Sequence, residues 1–281
     1  MALRINYNLA SSSAQRGLGA SQDAYAKQAN RLSTGLRINS ASDDAAGMAV
    51  SEKLKNQVRG LNQAQRNAQD GISLIQTAEG ALTETHSLLA RMRELAVQSS
   101  NDTLSASDRA NLQVEFTALY AEVDRISSTT AFNGIYLLNN ADVATGMTLQ
   151  IGANNGNTFT LTVGGAQMST LNSNFDSAAA TLTTVGYQSS ASAVISAVDA
   201  AVNAVSTARA GLGALQNRLE SVGRSLAVAS ENTAAANSRV ADADIASSMS
   251  ELVRAQILQQ AGISVLAQAN QAPSLVLQLL R

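Results

Sequence analysis

Between Val50 and Ala96 the residues Val50, Leu54, Val58, Leu61, Ala64, Ala68, Ile72, Ile75, Ala78, Leu82, Leu89, Met92 and Ala96 recur at steps of three, four or seven. That is the period of one apolar helical face. The Asn-, Ser- and Asp-rich run from Asn39 to Asp44 offers side-chain acceptors for the free N–H groups of a helix start. Together they predict one helix of roughly 60 residues, or about 85 Å long. A compact globule of this chain length has a radius of gyration near ~19 Å, hence a diameter of about 48 Å. The helix would protrude from it, so the expected fold is mainly α: a rod of long antiparallel helices with a small β-hairpin region. The chain is 45% hydrophobic but only 3% aromatic, with no Trp, which suits thin, closely approaching helices. Gly60, Gly71 and Gly80 interrupt the long helix at about 1 kcal/mol each relative to Ala. They are expected to mark close helix approach, with a flexible point as the alternative.

The side-chain inventory removes most chemistry. A net charge of −2 with 14% charged residues leaves no basic surface for nucleic acid. The absence of Cys removes thiolate catalysis, disulfides and Cys-type zinc sites, and one His, His86, cannot complete an HExxH motif. His86 reads as a structural residue of the long helix, the rival being a proton-dependent contact. Asp43, Asp44, Asp242 and Asp244 read as helix-start residues facing the positive end of the helix dipole. The stretch from Gly152 to Asn157 is Gly-rich but lacks a following Lys-Ser/Thr, so it is no phosphate loop. No catalytic residue, cofactor or metal is expected. The N-terminus has no long apolar run after its basic residue, so no cleavable secretory signal is expected and any export uses another route.

Leu18, Tyr25 and Leu32 form a seven-residue repeat on a short N-terminal helix. After Ser99–Ser107, Leu112, Phe116, Leu119, Val123 and Ile126 mark a second helix, antiparallel to the first across a short loop. Asn133-Gly134 signals a tight turn. Met147, Leu149 and Ile151, then Phe159, Leu161 and Val163, alternate as strands, with the turn near Asn154–Asn157. From Ser192 the helical pattern returns, thins at a joint over Ser230–Asn237, and resumes with Ile245, Met249 and Leu252.

Residues 255–280 carry no charge, yet seven Gln or Asn residues and Pro273 interrupt them, which argues against a membrane span. Their apolar residues, among them Ile257, Leu258, Ile263, Val265, Leu266, Leu275, Val276 and Leu279, spread around the helix rather than along one stripe. One partner helix covers one side, so the others are expected to be buried by neighbouring subunits. A monomeric bundle with frayed ends is the alternative.

The stretch from Arg31 to Val50 (RLSTGLRINSASDDAAGMAV), the run RGLNQAQRNAQD from Arg59, GISLIQTAEGAL from Gly71, RELAVQ from Arg93, AQILQQAG from Ala255 and the ending Leu279-Leu280-Arg281 resemble bacterial flagellin at both ends of the chain. The resemblance implies a self-assembling subunit of the flagellar filament, the extracellular propeller for swimming, exported by the flagellar type III route. A minor axial or hook–filament junction protein is the alternative. The family's large variable outer domains would have too little chain here. The resemblance further implies an inner-tube domain, D0, of residues 1–43 with 237–281, and a D1 domain of 44–236 that includes a hairpin region at about 132–193. D0 assembly residues would be Leu18, Tyr25 and Leu32 facing Ile245, Met249, Leu252, Ile263 and Leu266, with Ile257, Val276 and Leu279. Implied partners are further copies of the chain, an export chaperone at the C-terminal tail, the filament cap and the hook–filament junction proteins. Arg91, Leu95 and Glu115 match positions at which similar flagellins meet Toll-like receptor 5 of a host, a face that in a filament serves axial packing. The Ser and Thr residues of 141–193 are candidates for O-glycosylation, as in similar flagellins.

Overall fold

The computed structural model describes residues 8–139, 146–162 and 188–279, the side chains of 188–191 and 272–279 excepted. The order is α1 (Leu9–Thr34), α2 (Ala45–Ser99), α3 (Ala106–Thr129), β1 (Ala131–Phe132), β2 (Ile135–Tyr136), β3 (Met147–Gln150), β4 (Thr158–Leu161), α4 (Gln188–Ala241) and α5 (Ile245–Leu279). The chain divides into two compact units, Met1–Gln57 with Glu231–Arg281, and Val58–Ser230.

In the 58–230 unit, α2 and α4 run antiparallel, as the pairs Asn62–Ser230, Glu79–Arg209 and Arg93–Asp199 require. From Leu61 to Ala96 the apolar face read from the sequence is the packed one, whereas Val50, which that reading included, is 47% exposed. Ile75, Leu82, Leu89 and Met92 of α2 meet Val194, Val198, Val205, Leu212 and Leu219 of α4 in one core, closed by Phe116 and Val123 of α3. Each of these is at most 4% exposed. The turn into α3 is set by a capping box, in which the Ser105 hydroxyl accepts from the Asp108 N–H and the Asp108 carboxylate accepts from the Ser105 N–H. Asn133 and Gly134, at φ 49° and 80°, make the two-residue turn between β1 and β2.

The hairpin β3–β4 pairs Met147 with Leu161 and Gln150 with Thr158. Phe159 and Leu161 point into the core, and the Arg218 guanidinium lies 4.8 Å from the Phe159 ring centroid. The Asn67 amide donates to the Gln150 carbonyl at 2.8 Å. This hairpin explains two of the glycines: a Cβ on Gly60 would stand 2.8 Å from Ala153 Cβ, and one on Gly71 would stand 2.7 Å from Leu149 Cδ1. The close approach is therefore by the hairpin. Only at Gly71 does a helix residue, Leu219, also come near, at 3.3 Å. Gly80 meets nothing. Val163 and most of 141–193 lie outside the described residues.

The expected joint at Ser230–Asn237 is helical. α4 continues to Ala241, and the break falls at Asp242–Asp244. Ala is the best helix former, so loss of large apolar residues there removes the periodic signal without ending the helix. Of the four aspartates read as helix starts, two cap helices. Asp44 accepts from the Gly47 N–H at 2.8 Å, and Asp244 accepts from Ala246 and Ser247 at 2.9 and 3.2 Å. Asp242 instead accepts from the Ser238 hydroxyl at the end of α4. Asp43 binds Lys27 and the loop before α2.

Candidate assembly surfaces

In the terminal unit, α1 and α5 pack antiparallel. The Asn8 side chain both accepts from the Ser11 N–H, capping α1, and donates to the Ala269 carbonyl at 2.8 Å. Ser11 meets the Asn270 side chain at 2.8 Å. A Cβ on Gly262 would come within 3.3 Å of Leu18 Cδ1, so the axes close up there. At the other end the chain entering and leaving is stitched by backbone. Arg37 N–H donates to the Ala241 carbonyl at 2.7 Å and Ala243 N–H to the Gly35 carbonyl at 2.9 Å. Gly35, at φ 70°, ends α1 in the left-handed conformation that favours glycine.

Lys27 fixes this corner from α1. Its ammonium lies 2.8 Å from one Asp43 oxygen, while the other accepts from the Asn39 and Ser40 N–H groups and the Ser40 hydroxyl, each at 3.3 Å. The Lys27 hydrogen bond first, then the backbone donors, hold the Asp43 carboxyl down at about 2, from 3.8.

The contact face of α1 is a 3-4 seam of Ser11, Ala14, Leu18, Ser21, Tyr25, Gln28 and Leu32, all half-buried. Its counterpart on α5 is Ser248, Leu252, Ala255, Gln259, Gly262, Leu266 and Ala269. Leu18, Tyr25, Leu32, Leu252 and Leu266 thus meet the partner helix. Ile245, Met249 and Ile263 lie beside this seam rather than in it, so they carry less of the contact than expected. They are 51%, 47% and 53% exposed. The reason lies in register: small residues occupy the α5 seam because the backbones approach closely at Gly262, and the large side chains are turned away. Ile257 and Leu258 are likewise 59% and 52% exposed, with Val253 and Val265 similar. At 100° per residue, Met249 and Ile263 flank the seam on one side, Leu258 and Val265 on the other, and Ile257 opposes it. No residue of α1 is fully buried. The side chains of Val276 and Leu279 lie outside the described residues. Among the described residues no helix is long and apolar enough to cross a membrane.

In the 58–230 unit the three residues matched to a receptor face are not equivalent. Arg91 donates through Nε and Nη2 to Glu115 Oε1 at 2.9 and 2.8 Å, and through Nη1 to Glu94 at 2.9 Å. The Glu94 bond, then the Glu115 bond, raise the Arg91 pKa further above its already high value. Arg91 and Glu115 are about half exposed, and Glu94 more so. Leu95 is 1% exposed and belongs to the core. One turn of helix after Arg91 it has passed beneath α3, so it does not share the exposed face with Arg91 as the spacing suggests. Glu94, which pairs with Arg91, shares that exposed surface instead; the signal in the sequence is an Arg three residues before a Glu on an exposed helix.

Two family models match: the bacterial flagellin N-terminal helical region over residues 5–143 and the C-terminal helical region over 195–280. A flagellin of Halalkalibacterium halodurans is 50% identical over 277 residues, covering 99% of both chains. The flagellar filament 33 kDa core protein of Treponema phagedenis is 44% identical over 285 residues, again covering 99% of each. Among solved structures, a putative flagellar hook-associated protein from Vibrio parahaemolyticus matches with TM-score 0.60 over 71% of this chain and 100% of that one; at 16% identity it shares the fold alone.

Proposed function

The chain belongs to the bacterial flagellin family, and from that premise we propose that neighbouring copies cover the outward apolar faces of α5 as the protein polymerises. It is a structural subunit of the bacterial flagellar filament, a homopolymer outside the cell. The observation that carries the assembly reading is α5 itself. Seven large apolar side chains, at Ile245, Met249, Val253, Ile257, Leu258, Ile263 and Val265, stand about half exposed around a helix whose one intramolecular seam is made largely of small and polar residues. Burying the exposed half of each is worth about 1 kcal/mol, so roughly 7 kcal/mol per subunit before ordering costs.

The finer reading follows the same premise. Residues 1–43 with 237–281 act as the inner D0 domain and 44–236 as D1. Leu18, Tyr25, Leu32, Leu252 and Leu266 hold the D0 helices together, while Ile245, Met249, Ile257 and Ile263 make the intermolecular contacts. The same tail, 255–281, is what an export chaperone shields before secretion by the flagellar type III route. Filament cap and hook–filament junction proteins meet the ends of the polymer. Arg91 and Glu115 form the axial face that Toll-like receptor 5 of a host reads, with Leu95 supporting it from the core. The role is structural, without catalysis.

Seeded elongation tests the assembly reading. Full-length protein should lengthen filament seeds indefinitely, while a chain ending at Arg254 should add none and keep the helical circular dichroism of the 58–230 unit. Normal filaments from the truncated chain would refute it.

A further inference from the structure

At the corner where α2 turns into α3 lies a small, partly open cavity of about 10 Å³, with apolar walls from Leu95 and Phe116 and a polar wall from Ser99, Arg109 and Gln113. Arg109 is nearly buried, its side chain 11% exposed. Nη2 donates to the Asn101 carbonyl at 3.1 Å and stands 3.6 Å from Asp102, tying the loop between the helices to α3. Its Nε–H has no partner and is shut off from solvent. Gln113, one turn further on, carries a buried Oε1 that also lacks a partner.

The orientation of that amide is fixed. Thr117 spends its hydroxyl proton on the Gln113 carbonyl at 2.8 Å, so its oxygen is the acceptor for Gln113 Nε2 at 3.0 Å. Oε1 must therefore be the atom turned inward. A buried donor and a buried acceptor, on neighbouring turns of one helix, line the same cavity. Ser99, 5% exposed, adds a hydroxyl to that wall. The volume suits one water, and the chemistry supplies the two to four polar partners a buried water needs.

We infer that a single water molecule is a structural ligand of this corner, accepting from Arg109 Nε–H and donating to Gln113 Oε1, with Ser99 as the third partner. The guanidinium is then satisfied along both edges: through Nη2 to the α2–α3 loop, and through Nε and the water to the body of α3. Arg109 becomes a positioning residue that locks the turn between α2 and α3. Nothing in this depends on filament formation, so the site persists in the monomer.

Nuclear magnetic resonance of the full-length monomer, with selective excitation of water, reads the site at the Arg109 Nε–H. The expected result is a cross-peak from a long-lived water and slowed exchange of that proton. In Gln113→Leu, which removes the acceptor and fills space, the cross-peak is lost and Arg109 Nε–H exchanges at least tenfold faster. In Gln113→Glu, which keeps an acceptor oxygen, the cross-peak persists. A wild-type protein with no water cross-peak, or a direct bond from Arg109 Nε to Gln113 Oε1, overturns the inference whether or not either variant folds. So does a cross-peak unchanged in a folded Gln113→Leu.

Discussion

Replacing Ile257 by Asn separates intermolecular burial from folding more cleanly than a deletion does. Ile257 opposes the α1–α5 seam and is 59% exposed, so the monomer has little to lose. Filling the remaining exposure with a neighbour's surface is worth about 1–2 kcal/mol by area, and leaving an amide there without a hydrogen-bond partner adds about 1–3 kcal/mol of penalty. The sum is about 2–5 kcal/mol, so the critical concentration for elongation should rise by at least roughly 30-fold, at about 1.4 kcal/mol per tenfold. Sedimentation of seeded polymer against free subunit measures that concentration directly. Circular dichroism of the monomer should be unchanged, since the substitution lies on a solvated helix face. Leu252→Asn is the contrasting variant: it sits in the seam and should loosen α1 against α5 in the monomer as well. An Ile257→Asn protein that elongates at the wild-type critical concentration would refute intermolecular burial of this face. Loss of monomer helicity in the same variant would place Ile257 in an intramolecular contact instead.

Other perturbations test other parts. Leu95→Ala should destabilise the 58–230 unit by about 2–5 kcal/mol, against at most ~1 kcal/mol for Leu258→Ala in the terminal unit, since the first empties a core site and the second trims an exposed side chain; equal urea midpoints for the two would show that Leu95 is not a core residue. Gly80→Ala, in open space, should stabilise α2 by about 0.5–1 kcal/mol, while Gly60→Ala should destabilise, because its Cβ meets Ala153 at 2.8 Å. Thermal melts that rank them the other way would remove the hairpin from that contact. The Asp43 carboxyl is held at about 2, below its unfolded 3.8, so its contribution is complete above roughly pH 4 and fades as pH falls toward 2. Asp43→Asn should flatten that part of the stability profile, and a carboxyl titration by carbon NMR with a midpoint near 4 would contradict the Lys27 staple. Intact mass of 29.0 kDa for protein taken from native filaments would rule out sugars on residues 141–193.

The fold was legible where the chain buries one face against itself. Ile75, Leu82, Leu89 and Met92 repeat on a helical period because a single core selects them. The Asn-Gly turn was legible for a local reason, since both residues tolerate positive φ. Two features escaped. The continuation of α4 through Ser230–Asn237 left no periodic signal, because Ala and polar residues sustain a helix without marking a face. Gly60 and Gly71 announced a close approach but could not say what approached, and the hairpin lies more than seventy residues away in sequence.

The terminal unit inverts the usual relation between hydrophobicity and the inside of a chain. Ile245, Met249 and Ile263 fall beside the α1–α5 seam rather than at its centre, because a helix serving several partners carries more apolar side chains than its one intramolecular seam can hold. The seam goes to Ala255, Gly262 and Ala269, which let α1 come close, and to Leu252 and Leu266, which Leu18, Tyr25 and Leu32 can cover. On the proposed assembly, the bulky remainder is left for other chains. The same division explains why no α1 residue is fully buried while the 58–230 unit has a dense core. A helix pair so thinly packed gains little from folding alone, since ordering each residue costs about 1–2 kcal/mol. Its order is therefore expected to be completed by neighbouring copies. Proteolysis of the monomer should trim both ends toward a core near residues 44–236, and the filament should protect them. Ends equally resistant in both states would show that the α1–α5 seam suffices by itself.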